Sequence, residues 1–383
     1  MQHGIFTAHW LNSLYRPLTV IPTNFHQIIH SFIRSFVHSF IRSFVHSFIQ
    51  VRVVATMRVL LTLSTFVAAV LAAARTSPPS GAITAGKGGT YATFQKAVNA
   101  LSTTTSSAQS IFLYSGTYSE QVTIPALKGK LTVYGYTKDT SSYGSNVVNI
   151  QHSSSLLSGA ANDEETGTVI NLSPNTAFYN INIKNTYGKG SQAIALAAYN
   201  TDQGYYGVGL YGYQDTLLTQ TGNQVYAKCY IEGAVDWIFG QHSVAWFDGS
   251  TIAASAGGGC ITANGRPSTS DPSLYVINKC TVTTSSSSTA GSGTVYLGRP
   301  WSQYARVAFQ ETSMTKVINS AGWSVWSTSS LNTQNVLFEE HANTGAGASG
   351  SRASFSHSYS TPYTISGVLG SNYKSWVDTS YLS

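Results

Sequence analysis

The chain has 383 residues, of which 42% are hydrophobic and only 9% are charged. That balance excludes disorder of the low-hydrophobicity, high-charge kind. The 23 Tyr and 34 Gly, among many Ser, Thr and Asn, point to a β-rich extracellular surface rather than a helical bundle. The net charge of +6 gives no case for a nucleic-acid partner. Arg16, Arg34, Arg42, Arg52, Arg58 and Arg75 lie in the first 75 positions and no acid precedes Glu120, so residues 76–383 are formally neutral.

The first segment in chain order, residues 1–56, carries the octapeptide SFIRSFVH at 31–38 and again at 39–46. Its period is too short for a solenoid unit. It is read as upstream low-complexity sequence and left out of fold reasoning. Residues 57–75 form a signal peptide: a second Met at position 57, Arg58, an apolar run from Val59 to Leu71, and the small residues Ala72, Ala73 and Ala74. The run is shorter than the roughly 20 residues of a membrane span. The expected mature protein is therefore secreted and begins near Arg75.

Residues 76–383 are expected to form one domain. Phe94, Ala97, Val98 and Leu101 follow helical spacing, with Thr93 as N-cap. After this helix come short strand-like runs: Ile111–Tyr114, Val122–Ile124, Leu131–Tyr134, Val147–Ile150, Thr168–Leu172, Phe178–Lys184, Ala193–Ala197, Val208–Tyr211, Val225–Ile231, Val244–Phe247, Tyr275–Val282, Val295–Leu297 and Val307–Phe309. No helices alternate with them, which argues against a doubly wound α/β fold. A parallel β-helix with the 93–101 helix closing its N-terminal end accounts for the pattern, because stacked coils bury their core between neighbours and need caps.

Cys229, Cys260 and Cys280 permit one disulfide in a secreted protein. Cys260–Cys280 is the preferred pair. No CxxC occurs, so no zinc site is expected. The sequon Asn171-Leu172-Ser173 precedes Pro174 and falls in an expected strand.

Gln192, Gln214 and Asp236 are each 22 residues apart, a workable coil length. On that count their side chains stack on successive coils about 4.8 Å apart. Asp215 adds a second carboxylate. It shares a site with Gln214 only at a strand end or bend, since consecutive strand residues face opposite sides. Taken singly, these residues have plainer readings: Asp215 as a turn Asp, Asp236 as half of a structural ion pair with Arg299, Trp301 as core.

The order of motifs narrows the choice. SIFLYSGTYSEQVTI (110–124), QAIAL, GYQDTL, DWIFG, ITANGR (261–266), LGRPW (297–301), AGWSVW (321–326) and NTGAGA (343–348) resemble the pectin methylesterase family through nearly the whole mature chain. Ser115, Ala346 and Trp237 depart from commoner residues of the family, at no polar site position. With no room for a helical pro-region, the resemblance is to secreted fungal and microbial members. It implies a right-handed, single-stranded parallel β-helix and hydrolysis of galacturonan methyl esters, with Asp236 as nucleophile, Asp215 as proton donor and acceptor, Gln192 and Gln214 as oxyanion donors, and Arg299 holding Asp236 ionised. Asp215 must start neutral, and burial beside an anionic Asp236 would raise its pKa. Trp301, Trp237 and Tyr213 are expected to bind sugar. Arg266 is a mixed case, and Glu120 is expected to be structural.

Other chemistries fit less well. A serine esterase needs a G-x-S-x-G elbow, which is absent. A calcium-dependent lyase needs an acidic cluster, and the acids are sparse. A non-catalytic polysaccharide-binding β-helix does not require this set of Gln, Asp and Arg. The expectation is a monomer that acts on methylated pectin in the plant cell wall, with no cofactor, metal, nucleic-acid partner or membrane attachment after maturation.

Overall fold

The computed structural model describes residues 73–383 and, upstream of them, Arg34. Apart from Arg34, the octapeptide repeat lies outside these residues, as does most of the signal segment. Arg75, the expected mature start, is already part of the fold: its backbone pairs with Thr137 and its guanidinium lies over Tyr134.

Short strands, most of two to seven residues, recur along the chain, and each pairs in parallel with the strand one coil away. Three ladders result. Sheet I runs from Ile83–Ala85 through Gln109–Leu113, Thr176–Tyr179, His242–Asp248 and Arg306–Gln310 to Ser356–Ser358. Sheet II has eight strands, from Gly116–Ser119 to Ser313–Met314. Sheet III includes Val169–Asn171, Leu196–Tyr199, Ile238–Gly240, Cys260–Asn264 and Tyr296–Pro300. The 11-residue strand Leu217–Ala227 belongs to two ladders. Its first residues pair in sheet III and its last in sheet I. This is a parallel β-helix, as expected.

Alternation fills the interior. In Leu131–Gly135, Leu131 and Val133 are fully buried while Thr132 and Tyr134 are not. Aromatic side chains stack up the core, Phe178 on Tyr205, Tyr205 on Tyr226 and Tyr226 on Phe247, at 5.4, 5.0 and 4.7 Å between centroids. The expected helix is α1 (Phe94–Asn99), capped by the Thr93 hydroxyl. Phe94, Ala97 and Val98 point into the core and close its end. Glu120 is structural, as expected: its carboxylate accepts the backbone N–H groups of Phe94 and Gln95 at 2.8 and 3.0 Å, two of the orphan donors of the first turn. The C-terminal segment covers the outside of sheet I with Leu369, Trp376, Val377 and Tyr381.

Three expected runs are each split in two. Phe178–Lys184, Val225–Ile231 and Tyr275–Val282 turn a corner at Asn180, Lys228 and Lys279, whose φ values are 55, 51 and 50°. The preferred Cys260–Cys280 disulfide is not formed. All three cysteines are free and buried. Cys260 belongs to sheet III, whereas Cys280 lies just past the corner into sheet II and donates to the Asn278 carbonyl. The sequon residue Asn171 is fully buried, and its amide donates to Thr176 and Tyr205. It is not exposed for glycosylation in the folded protein.

Candidate active site

The corner between sheets II and III builds the site. Asp215 and Asp236 both adopt left-handed backbone there, with φ of 65 and 49°, a region that Asp tolerates better than most residues. Each still donates its N–H to the next coil, Asp215 to Val235 and Asp236 to Cys260. The bend resolves the alternation problem, since it lets Gln214 and Asp215 serve one cleft.

The 22-residue stack needs correction. Around the site the register advances by 21 residues, with Leu196 beside Leu217 and Leu217 beside Ile238. Gln214 therefore stands beside Val235. Asp215 and Asp236 are the pair at matching positions, and the two Gln are offset by one residue.

The cleft has a volume of about 210 Å³ and is lined by Gln192, Gln214, Asp215, Asp236, Arg299 and Trp301, with Asp163, Phe239, Ala263 and Trp326. Its floor is the outward column of sheet III, where Phe239, Ala263 and Arg299 are successive neighbours. Ala263 has only a methyl group, which leaves Arg299 a path across the intervening strand to Asp236. Arg299 Nε donates to both Asp236 oxygens at 3.0 and 3.2 Å, and Nη2 to Oδ2 at 2.6 Å. Its guanidinium lies 4.3 Å from the Trp326 ring centre, and Nη1 donates to the Trp326 carbonyl. This is a planar, two-sided clamp that lysine would not reproduce.

The carboxylates are unequal. Asp215 is 7% exposed and accepts no hydrogen bond among the described residues. Burial, then the nearby charges of Asp236 and Asp163, push its pKa well above the ordinary Asp range, with Arg299 opposing. Burial also raises Asp236, but the hydrogen bonds and charge of Arg299 pull it back. Asp236 remains raised overall, but Arg299 favours its charged form, whereas burial and the neighbouring charges favour the neutral form of Asp215, a contrast set by environment.

Six of the eight expected residues, Gln192, Gln214, Asp215, Asp236, Arg299 and Trp301, line this cleft. Tyr213 lines a neighbouring one. Trp237 is corrected to a core residue, fully buried with an unpartnered Nε1. The bend turns Asp236 outward and sends the next side chain inward, over Gly233, where a Cβ would come within 2.2 Å of the Trp237 Cβ. Arg266 is structural. It is buried against its own loop, donating to the carbonyls of Asp271 and Thr269. Asp163, Phe239 and Trp326 were not anticipated. Phe239 and Trp326 sit inside quoted motifs. Asp163 lies in the loop before sheet III with Oδ1 buried and unpartnered, and no sequence signal marks it. Among the described residues no group of three His, Cys, Asp or Glu is arranged to hold a metal.

Fold and site together define a β-helical ester hydrolase with a paired-carboxylate cleft. The pectinesterase family model matches residues 82–363. A pectinesterase from Aspergillus niger is 56% identical over 322 residues, covering 83% of this chain and 97% of that relative. One from Aspergillus aculeatus is 53% identical over 326 residues, covering 84% and 98%. The crystal structure of the Aspergillus niger pectin methylesterase in deglycosylated form matches with a TM-score of 0.76 at 40% identity, covering 81% of this chain and all of that one. Pectin methylesterase from carrot matches at 0.71 and 26% identity, covering 80% and 98%. The chain belongs to the pectinesterase family of carboxylic ester hydrolases.

Proposed function

We propose that the protein is a secreted pectin methylesterase that hydrolyses methyl esters of galacturonan in plant cell walls, with Asp236 as nucleophile. The observation that carries this reading is the contrast within the carboxylate pair: one held by three hydrogen bonds from Arg299, the other buried with none. An Asp236 oxygen attacks the ester carbonyl carbon, and the negative charge that develops on the carbonyl oxygen is met by amide N–H groups of Gln192 and Gln214. Asp215 gives its proton to the departing methoxide, so methanol leaves and an acyl-enzyme anhydride remains. Asp215, now a carboxylate, takes a proton from water. The resulting hydroxide attacks the anhydride, frees the galacturonate and restores both carboxyl groups. Trp301 offers its face to the sugar.

The domain limits 57–75 and 76–383 accompany this reading, as does action as a monomer without a metal. No helix among the described residues is long and apolar enough to cross a membrane. The test is methanol release from methylated pectin measured alongside new unsaturated chain ends. Methanol without unsaturated ends is expected, before and after chelation. Unsaturated ends restored by calcium would replace the reading with a lyase.

A further inference from the structure

Among the described residues, sheet III ends at Tyr296–Pro300. Cys260–Asn264 pairs along one side of this strand. On the other side the next coil gives the N–H of Ser324 to the Gly298 carbonyl and then leaves the ladder. Pro300 is two residues further on, so its carbonyl points the same way, yet no backbone donor among the described residues meets it. Pro300 is buried, and a buried carbonyl needs a partner. A side chain takes the place of the missing strand. Asn332 Nδ2 donates to the carbonyls of Pro300 and Trp301, at 3.2 and 3.0 Å. The Ser330 hydroxyl donates to Asn332 Oδ1 at 2.9 Å, which fixes the amide with its nitrogen toward the strand. Asn332 has a φ of 58°, a left-handed backbone that Asn tolerates.

Asn332 closes a loop whose first residue is Trp326. The N–H of Trp326 donates to the Leu331 carbonyl at 3.2 Å, and that of Ser327 to the Ser330 carbonyl at 3.1 Å. One loop therefore reaches two functional side chains. Its Trp326 end holds Arg299 through the ring and the carbonyl. Its Asn332 end holds the backbone that carries Trp301.

We propose that Asn332 is a positioning residue of the esterase centre, fixing where the Trp301 ring stands in the cleft. This rests on reading the cleft as that centre and Trp301 as its sugar face. Trp301 lies one residue past the strand, where the ladder no longer sets the backbone. Its N–H donates to Asn264 at 3.1 Å, and its ring leans on Gly265, where a Cβ would come within 2.6 Å of Cε3. Without the Asn332 amide, the peptide between Pro300 and Trp301 is free to rotate and carries the ring with it. Stacking on a sugar is the same in the ground and transition states, so its loss raises KM and spares kcat. The Arg299 clamp on Asp236 is secured at the other end of the loop.

The experiment measures kcat and KM for methanol release from methylated galacturonan, with a thermal melt for each protein. It uses wild type, Asn332→Gly, Asn332→Asp, Trp301→Ala and both double variants. Glycine keeps the left-handed backbone without the amide. Aspartate keeps the shape and the Ser330 bond but turns an acceptor toward two carbonyls. KM should rise about threefold in Asn332→Gly and about tenfold in Asn332→Asp, the worth of one or two hydrogen bonds, with kcat changed less than about twofold. On the Trp301→Ala background either change should add less than about twofold, because both act through one ring. An unchanged KM in the folded single variants overturns the proposal. So does a rise that is undiminished without Trp301, or a failure of both single variants to fold, which would give the amide to the fold alone. Wild type releasing no methanol would instead overturn the esterase reading beneath it.

Discussion

Two corners of the same coil use the same backbone conformation for different ends. At the corner between sheets I and II, Asn180, Gly207, Lys228, Gly249, Lys279, Glu311 and Ala342 all have φ between 47 and 58°. Each of Asn180, Gly207, Lys228, Gly249, Lys279 and Glu311 donates its N–H to the neighbouring coil, so the ladder continues around the bend. Amide, glycine, ammonium, carboxylate and methyl side chains all occur there. The corner demands a left-handed residue and is indifferent to its chemistry. At the corner between sheets II and III, the non-glycine residues so held are Asp215 and Asp236, on adjacent coils and facing a cleft. Left-handed geometry is thus a tool of the coil. Function enters through which side chain the bend carries and what surrounds it.

Substitutions can break this contrast. Asn retains a preference for left-handed backbone, so Asp215→Asn should keep the fold while methanol release falls about 10²–10⁴-fold, the usual value of general acid–base help. The same variant carries a stability signature. Asp215 has its pKa raised in the folded protein, so its favourable contribution is complete below the ordinary Asp pKa and is lost as pH rises through the raised one. The wild-type melting temperature should drop across that interval, and Asp215→Asn should flatten that part of the profile. Gln192→Ala and Gln214→Ala should each cost roughly 10²–10³-fold in kcat, as for one oxyanion donor, with little change in melting.

Asp163→Asn sharpens the electrostatic side. Removing a negative neighbour lowers the Asp215 pKa. The basic limb of the pH–rate profile should therefore move to lower pH, with kcat on its acidic side of the limb changed only a few-fold. An unmoved limb would mean that Asp163 does not influence the acid. At the indifferent corner, Ala342→Gly removes a left-handed penalty and adds unfolded-chain entropy. Stability should shift by less than about 1 kcal/mol and methanol release should not change.

Much of this was legible in the sequence. The α1 helix showed its core face through Phe94, Ala97 and Val98, and motif order marked Asp215, Asp236, Arg299 and both Gln. What was hidden has physical causes. Apolar alternation runs straight through Asn180, Lys228 and Lys279, so strands that turn a corner there look continuous. The 22-residue spacing of Gln192, Gln214 and Asp236 mimics a coil, because a one-residue slip between neighbouring bends leaves no mark in composition. Trp237 adjoins Asp236 in sequence, yet the bend separates outward from inward at that bond. Asp163 reaches the cleft from a loop whose path no local pattern encodes.

The most direct measurement is methanol release by Asp236→Asn, taken beside its thermal melt. Asn fits the bend and still accepts a hydrogen bond from Arg299, so the fold should be retained and melting should shift by only a few degrees. With the carboxylate nucleophile gone, release should fall by at least about 10⁴-fold. A folded Asp236→Asn protein that keeps most of the wild-type rate would contradict the account.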